Sequence, residues 1–124
     1  SIIVPMQCEF FALEGLSHLL STIELVKSSI NPNLRISGII LAMHDKRNKL
    51  TEQVESDVRS FLGEIVYKAI IPRNIKLSEA PSYGMPALTY EPECRGSQAY
   101  ISLAQEILKR EELTKSELKQ YATK

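Results

Sequence analysis

At 124 residues the chain is the size of one domain and long enough to bury a real core. An apolar content of 44% excludes a disordered chain, and 15 basic residues against 15 acidic ones exclude nucleic-acid binding driven by overall charge, leaving only a local cluster to do it. The apolar runs are strand-sized, which excludes a membrane-spanning helix, and Cys8 and Cys94 lack metal-ligand spacing, which points to idle thiols in a reducing compartment.

Ile2-Ile3-Val4 is a continuous apolar run, predicting a strand buried on both faces, with Pro5–Glu9 as the loop at its end. Leu16, Leu19, Leu20, Ile23, Val26 and Ile30 recur at helical spacing. They predict a helix from about Phe11 to Ser29, stopped by Asn31-Pro32. His18 lies inside that helix with no ligand partner at i+4, as a surface histidine would. Ile36 to Met43 is the second strand, and its unalternating centre Ile39-Ile40-Leu41 is of the fully buried kind. His44 to Lys49 is a polar, basic loop.

Asn48 or Thr51 can cap the next helix, whose stripe is Leu50, Val54, Val58, Phe61 and Leu62, and Gly63 ends it. Ile65 to Ile71 is the third strand, halted by Pro72. A short helix near Leu77 to Tyr83 follows, then an irregular link through Pro86 and Pro92. A closing helix starts near Gly96, with Tyr100, Leu103 and Ile107 on one face. Thr114-Lys115-Ser116-Glu117 has the form of a capping box, so the charged tail either restarts as a short helix at Lys115 or frays.

This strand–helix alternation predicts an α/β fold: a three-stranded parallel sheet with flanking helices and right-handed crossovers. Ligands of such sheets gather beyond the carboxyl ends of the strands. The loops Pro5–Glu9, His44–Lys49 and Pro72–Lys76 should therefore share one rim. It collects Lys46, Arg47, Lys49, Arg73 and Lys76, with Glu9 and Asp45 as the nearby acids. A basic rim suits a phosphate-bearing partner; the same residues also fit a merely solvated loop set. No nucleophile–base arrangement and no metal-ligand cluster is suggested. Glu9 and Glu14 suit the first turn of a helix, where the dipole favours acids.

Ile71-Pro72-Arg73-Asn74 followed by Leu77-Ser78-Glu79-Ala80-Pro81-Ser82-Tyr83-Gly84 resembles the ParA/Soj chromosome- and plasmid-partitioning ATPases. Val4 to Leu16, Met43-His44-Asp45-Lys46-Arg47, and Tyr90-Glu91-Pro92 with Arg95-Gly96 match in the same order, so the likeness runs from Ile2 to about Lys109. The resemblance implies that residues 1–110 are the C-terminal half of a deviant P-loop NTPase domain, doubly wound in the complete protein, and that 111–124 are a charged tail. The chain carries no G-x-x-x-x-G-K-[ST] phosphate loop. The resemblance therefore implies ATP and Mg2+ in the full-length protein, none in this stretch, and no ATP hydrolysis by it alone.

By residue, the resemblance implies that Met43, Pro72, Arg73 and Asn74 border the adenine and ribose of ATP. It places Arg47 and Lys76 on positions that bind DNA without sequence preference. Relatives often carry arginine at the second, so Lys76 keeps the charge but loses the planar fork. Glu9 and Glu14 could also approach the nucleotide interface. Further implications are an ATP-dependent homodimer, a ParB/Spo0J-type centromere-binding partner, and a cytoplasmic, nucleoid-associated protein with no membrane contact. Two other readings compete. A MinD-like division-site ATPase would want an amphipathic membrane helix at its end, and a stand-alone flavodoxin- or receiver-like module would want clustered acids at the strand ends. An open sheet edge at Ile2–Val4 should also make the chain by itself dimerise or exchange strands.

Overall fold

The computed structural model describes residues 1–122. The elements are β1 (Ile2–Gln7), α1 (Ala12–Ser29), β2 (Ile36–His44), α2 (Lys49–Leu62), β3 (Val66–Pro72), α3 (Ile75–Glu79), α4 (Ala87–Tyr90) and α5 (Arg95–Ala122). Short 3-10 turns occupy Gly63–Ile65 and Ala80–Tyr83. The three strands form one parallel sheet in the order β1-β2-β3, as the alternation of elements predicts.

The sheet has two differently covered faces. Val4, Met6, Ile39, Leu41 and Val66 pack with Leu16 of α1 and with Val54 and Val58 of α2. On the other face Tyr67 and Ile71 pack with Leu103 of α5, joined by Ile40, Ala42, Ala69, Leu77, Ala99 and Ile107. Alternate residues of β2 thus serve opposite layers, which is why its centre is apolar without alternation. β1 differs from expectation. It runs on through Pro5 to Gln7, and only Val4 and Met6 are buried while Ile3 remains exposed. As an edge strand it has a single ladder, and an edge tolerates a proline. The unpaired side of β1 leads us to expect concentration-dependent self-association of this chain alone, read by light scattering; a monomer at high concentration would contradict it.

The helices follow local rules with narrower buried stripes than the spacing predicts. In α1, Leu16 and Ile23 are buried, while Leu19, Leu25 and Ile30 stay exposed. α2 is capped by Asn48, whose side-chain oxygen accepts from the Leu50 N–H at 3.0 Å, and Thr51 is buried inside the first turn instead. Val54 and Val58 carry the burial; Leu50 and Phe61, at the two ends of the helix, remain exposed. Thr114 caps nothing. Its hydroxyl donates to the Arg110 carbonyl at 3.0 Å, and α5 continues unbroken to Ala122.

β3 does not follow β2 evenly. Ile39 pairs with Val66, but Leu41 pairs with Ile70, so two steps along β2 match four along β3. The extra residues form a bulge in β3. Their backbone groups find partners on helices. The Lys68 and Ala69 N–H groups donate to the two carboxylate oxygens of Glu106, at 2.7 and 3.0 Å. Arg59 donates to the Tyr67 carbonyl at 3.2 Å, and Arg110 donates to the carbonyls of Ile65 and Val66 at 3.4 and 3.2 Å. Inside the bulge the Tyr67 ring is fully buried over Gly38, and the Arg110 guanidinium covers it at 4.1 Å from its centroid. Burial pushes the Tyr67 phenol up.

Candidate functional site

The carboxyl ends of β2 and β3 lie side by side, with His44 paired to Pro72. Just beyond, the Arg73 N–H donates to the His44 carbonyl at 2.9 Å, which ties the two outgoing loops together. In the first loop Asp45 accepts from the backbone N–H of Arg47 at 3.0 Å and from its Nε at 3.3 Å. Those hydrogen bonds, followed by the charges of Arg47 and Arg73, hold the Asp45 carboxyl below its ordinary range. The Arg47 side chain is 92% exposed. Arg73, Lys46 and Lys49 are exposed as well. The loops after β2 and β3 therefore lie on one rim, whose positive side is the segment after β2, while most of Pro5–Glu9 is strand, not loop.

Met43 has φ 53° and a half-exposed side chain. A non-glycine residue in the left-handed region costs on the order of 1 kcal/mol or more. The twist reverses the alternation at the strand end: Met43 turns out to solvent, and His44 turns into the protein. His44 is the last residue of β2 and buried, not part of a polar loop. Its Nε2 pairs with Glu55 of α2, and Glu55 accepts from Arg59 at 3.2 Å. The (i, i+4) spacing of Glu55 and Arg59 is visible in the sequence; the inward turn of His44 is not.

In the second loop, Asn74 caps α3. Its side-chain oxygen accepts from the Lys76 N–H at 2.9 Å, which leaves its NH2 as the group that can donate outwards. Pro72 is half-buried beside the exposed Arg73. The packing of Gly96 fixes α3 from behind: a Cβ there would come within 2.5 Å of Leu77 Cγ. The glycine of the Arg95-Gly96 pair is thus required by close approach of α3 to α5.

Lys76 is surrounded, in contrast to Arg47. Its Nζ lies 3.4 Å from Glu79 and 3.8 Å from Glu91. It also sits 5.9 Å from the Tyr90 ring centroid. The hydrogen bond to Glu79, followed by that carboxylate's charge, raises the Lys76 pKa. The Tyr90 hydroxyl donates to the same Glu79 oxygen at 3.0 Å, and its pKa is pushed up to about 12. Tyr83 stacks on Tyr90 at 5.0 Å. Sequence reasoning passed over Glu79, Tyr90 and Glu91. The (i, i+3) step from Lys76 to Glu79 was the available signal, whereas Tyr90 and Glu91 arrive from beyond a turn.

The other candidates are bland. His18, Glu9 and Glu14 are exposed. Cys8 is buried, which raises its pKa. Cys94 hydrogen-bonds with Ser97, which lowers its pKa, and neither cysteine is in a disulfide. Among the described residues no group of three or more His, Cys, Asp or Glu could hold a metal ion, and no helix is long and apolar enough to cross a membrane.

Residues 1–36 match the family described as AAA domain. The chain is 57% identical over 111 residues to the chromosome partitioning protein ParA of Caulobacter vibrioides, covering 90% of this chain and 42% of that protein. It is 48% identical over 107 residues to the sporulation initiation inhibitor protein Soj of Bacillus subtilis, covering 86% and 42%. It is 47% identical over 110 residues to the chromosome-partitioning ATPase Soj of Treponema pallidum, covering 89% and 44%. The chain thus spans about two fifths of the length of the curated relatives it matches. With this identity along nearly its whole length, and with its three-stranded parallel sheet, the chain corresponds to a portion of a ParA/Soj-type partitioning ATPase.

Proposed function

We propose that this chain forms part of an ATP-driven DNA partitioning protein and supplies two things to it. Met43, Pro72, Arg73 and Asn74 flank the adenine and ribose of ATP, and Arg47 and Lys76 hold the phosphates of DNA without reading its sequence. The observation that carries the reading is the bond from the Arg73 N–H to the His44 carbonyl. It sets the nucleotide-side residues and the exposed Arg47 on one rim at the strand ends, where ligands of parallel sheets gather. The exposed Met43 and the neighbouring Pro72 offer apolar surface to a flat purine, while Arg73 and the Asn74 NH2 can donate hydrogen bonds. Phosphoryl transfer needs Mg2+ and a phosphate cradle, and those belong to parts of the protein outside this chain.

The same reading includes an ATP-dependent homodimer, a ParB/Spo0J-type partner that stimulates turnover, and residence on the nucleoid. The closing turns of α5 carry Lys109, Arg110, Glu111, Glu112, Lys115, Glu117 and Lys119. These turns, charged all round, suit water better than the membrane surface a MinD-like protein would use. Asp45, engaged by Arg47, does not form the acid cluster of a receiver.

The test is DNA binding by the full-length protein with ATP. Arg47→Ala should weaken binding by about eight-fold at 0.1 M salt on every duplex tried, and lower the slope of log K against log salt by about one unit. Lys76→Ala should act in the same direction. Wild-type binding by both variants at low salt would overturn the assignment.

A further inference from the structure

The two basic residues assigned to DNA differ in one respect. Arg47 stands in solvent with one acidic neighbour, Asp45. The Lys76 ammonium is met by Glu79, by Glu91 and by the Tyr90 ring, so the group as a whole carries one excess negative charge. Glu79 is held on Lys76 by the Tyr90 hydroxyl, and Tyr90 is steadied by stacking on Tyr83. Glu91 approaches from the far end of α4. Its own helix α3 and the end of α4 therefore converge on one lysine, with Tyr83 of the 3-10 turn behind them. A phosphate approaching this point meets two carboxylates already occupying the cation it needs.

We infer that Glu79 and Glu91 form an acidic clamp that withholds Lys76 from DNA, so that the affinity of this rim is set by exchange of these carboxylates for DNA phosphate. The inference rests on the DNA-binding reading above and adds its control. Both ion pairs are partly exposed, with Lys76 at 43%, Glu79 at 38% and Glu91 at 44%. Exposed pairs are weak, so the exchange is within reach of a polyanion. The flexible four-carbon stem of lysine allows the ammonium to swing from the acids to a phosphate; the planar fork of arginine would engage a carboxylate more rigidly. Arg47 then provides the constant part of the binding and Lys76 the conditional part.

The experiment measures binding of fluorescent duplexes of unrelated sequence to the full-length protein with ATP, by anisotropy across a salt series. Glu79→Gln with Glu91→Gln should tighten binding by about three- to ten-fold, the combined release of two exposed pairs. Tyr90→Phe, which frees Glu79 from its anchor, should tighten it less. In a Lys76→Ala background the two glutamine substitutions should have no effect. Equal tightening with and without Lys76 would mean that the acids simply repel DNA, and would overturn the clamp. Absence of tightening while Lys76→Ala still weakens binding would overturn the clamp and leave the DNA assignment standing. A Lys76→Ala variant that binds like wild type would remove the DNA contact at Lys76, and the clamp with it, while Arg47→Ala reports on the rest of the rim.

Discussion

Replacing Gly38 by alanine is expected to destabilise the protein by about 3 kcal/mol, the upper part of the range for overpacking a tight core, and to lower the thermal midpoint by roughly 10 °C. Gly38 is buried in β2, and a Cβ built on it would lie 2.3 Å from Tyr67 Cε2 and 2.5 Å from Cζ. The ring has no easy retreat. It is fully buried, and the Arg110 guanidinium closes its exposed side. Arg110 in turn is tied to the carbonyls of Ile65 and Val66. The added methyl must therefore push either the sheet or the helix. Thermal denaturation followed by circular dichroism checks this, and Tyr67→Leu in the Gly38→Ala background should recover part of the loss by making room. An unchanged midpoint in Gly38→Ala would show that the ring is not held where the structure places it.

Glu106→Ala should cost about 2 to 3 kcal/mol, in the range of hydrogen bonds to a charged acceptor. The carboxylate accepts from two successive N–H groups, those of Lys68 and Ala69, and lies 3.4 Å from Arg110. Among the described residues no strand is available to take those donors, since β3 is an edge of the sheet. Glu106→Gln keeps one good acceptor but turns an NH2 towards the other donor, so it should fall between alanine and wild type. Urea titration gives the ranking, with the midpoint as the measure. Hydrogen exchange at the Lys68 and Ala69 amides gives a local check, because both should lose protection before the rest of β3.

These two results concern features that local sequence does not express. The alternation of elements, the end of α2 at Gly63 and the basic character of the rim are set by spacing within a few residues. They were legible for that reason. The partnership of Glu106 with Lys68 and Ala69 spans almost forty positions and depends on where α5 comes to rest. The Tyr67 ring in the bulge of β3 lies against Gly38, a contact no periodicity reveals. His44 read as a loop residue because its polarity suits one; only the left-handed turn at Met43 sends it inwards to Glu55. Pro5 read as a stop because proline ends most strands, yet an edge position removes the penalty. Thr114 read as a start because the capping-box letters are present, yet a helix already under way absorbs them. The proposed role of Met43, Pro72, Arg73 and Asn74 beside a nucleotide came from family likeness and not from pattern.

The close approach of Leu77 to Gly96 has a mechanical consequence. An α-helix is stiff along its axis, and α5 extends from that contact to the Glu106 anchor, about 15 Å further along at 1.5 Å per residue. One point of this strut leans on the short helix that carries Lys76, and the other is bolted to the bulge in the middle of β3. A tug on the rim must then either slide leucine past glycine or swing the whole rod, so strain at the strand ends is delivered to the bulge of β3.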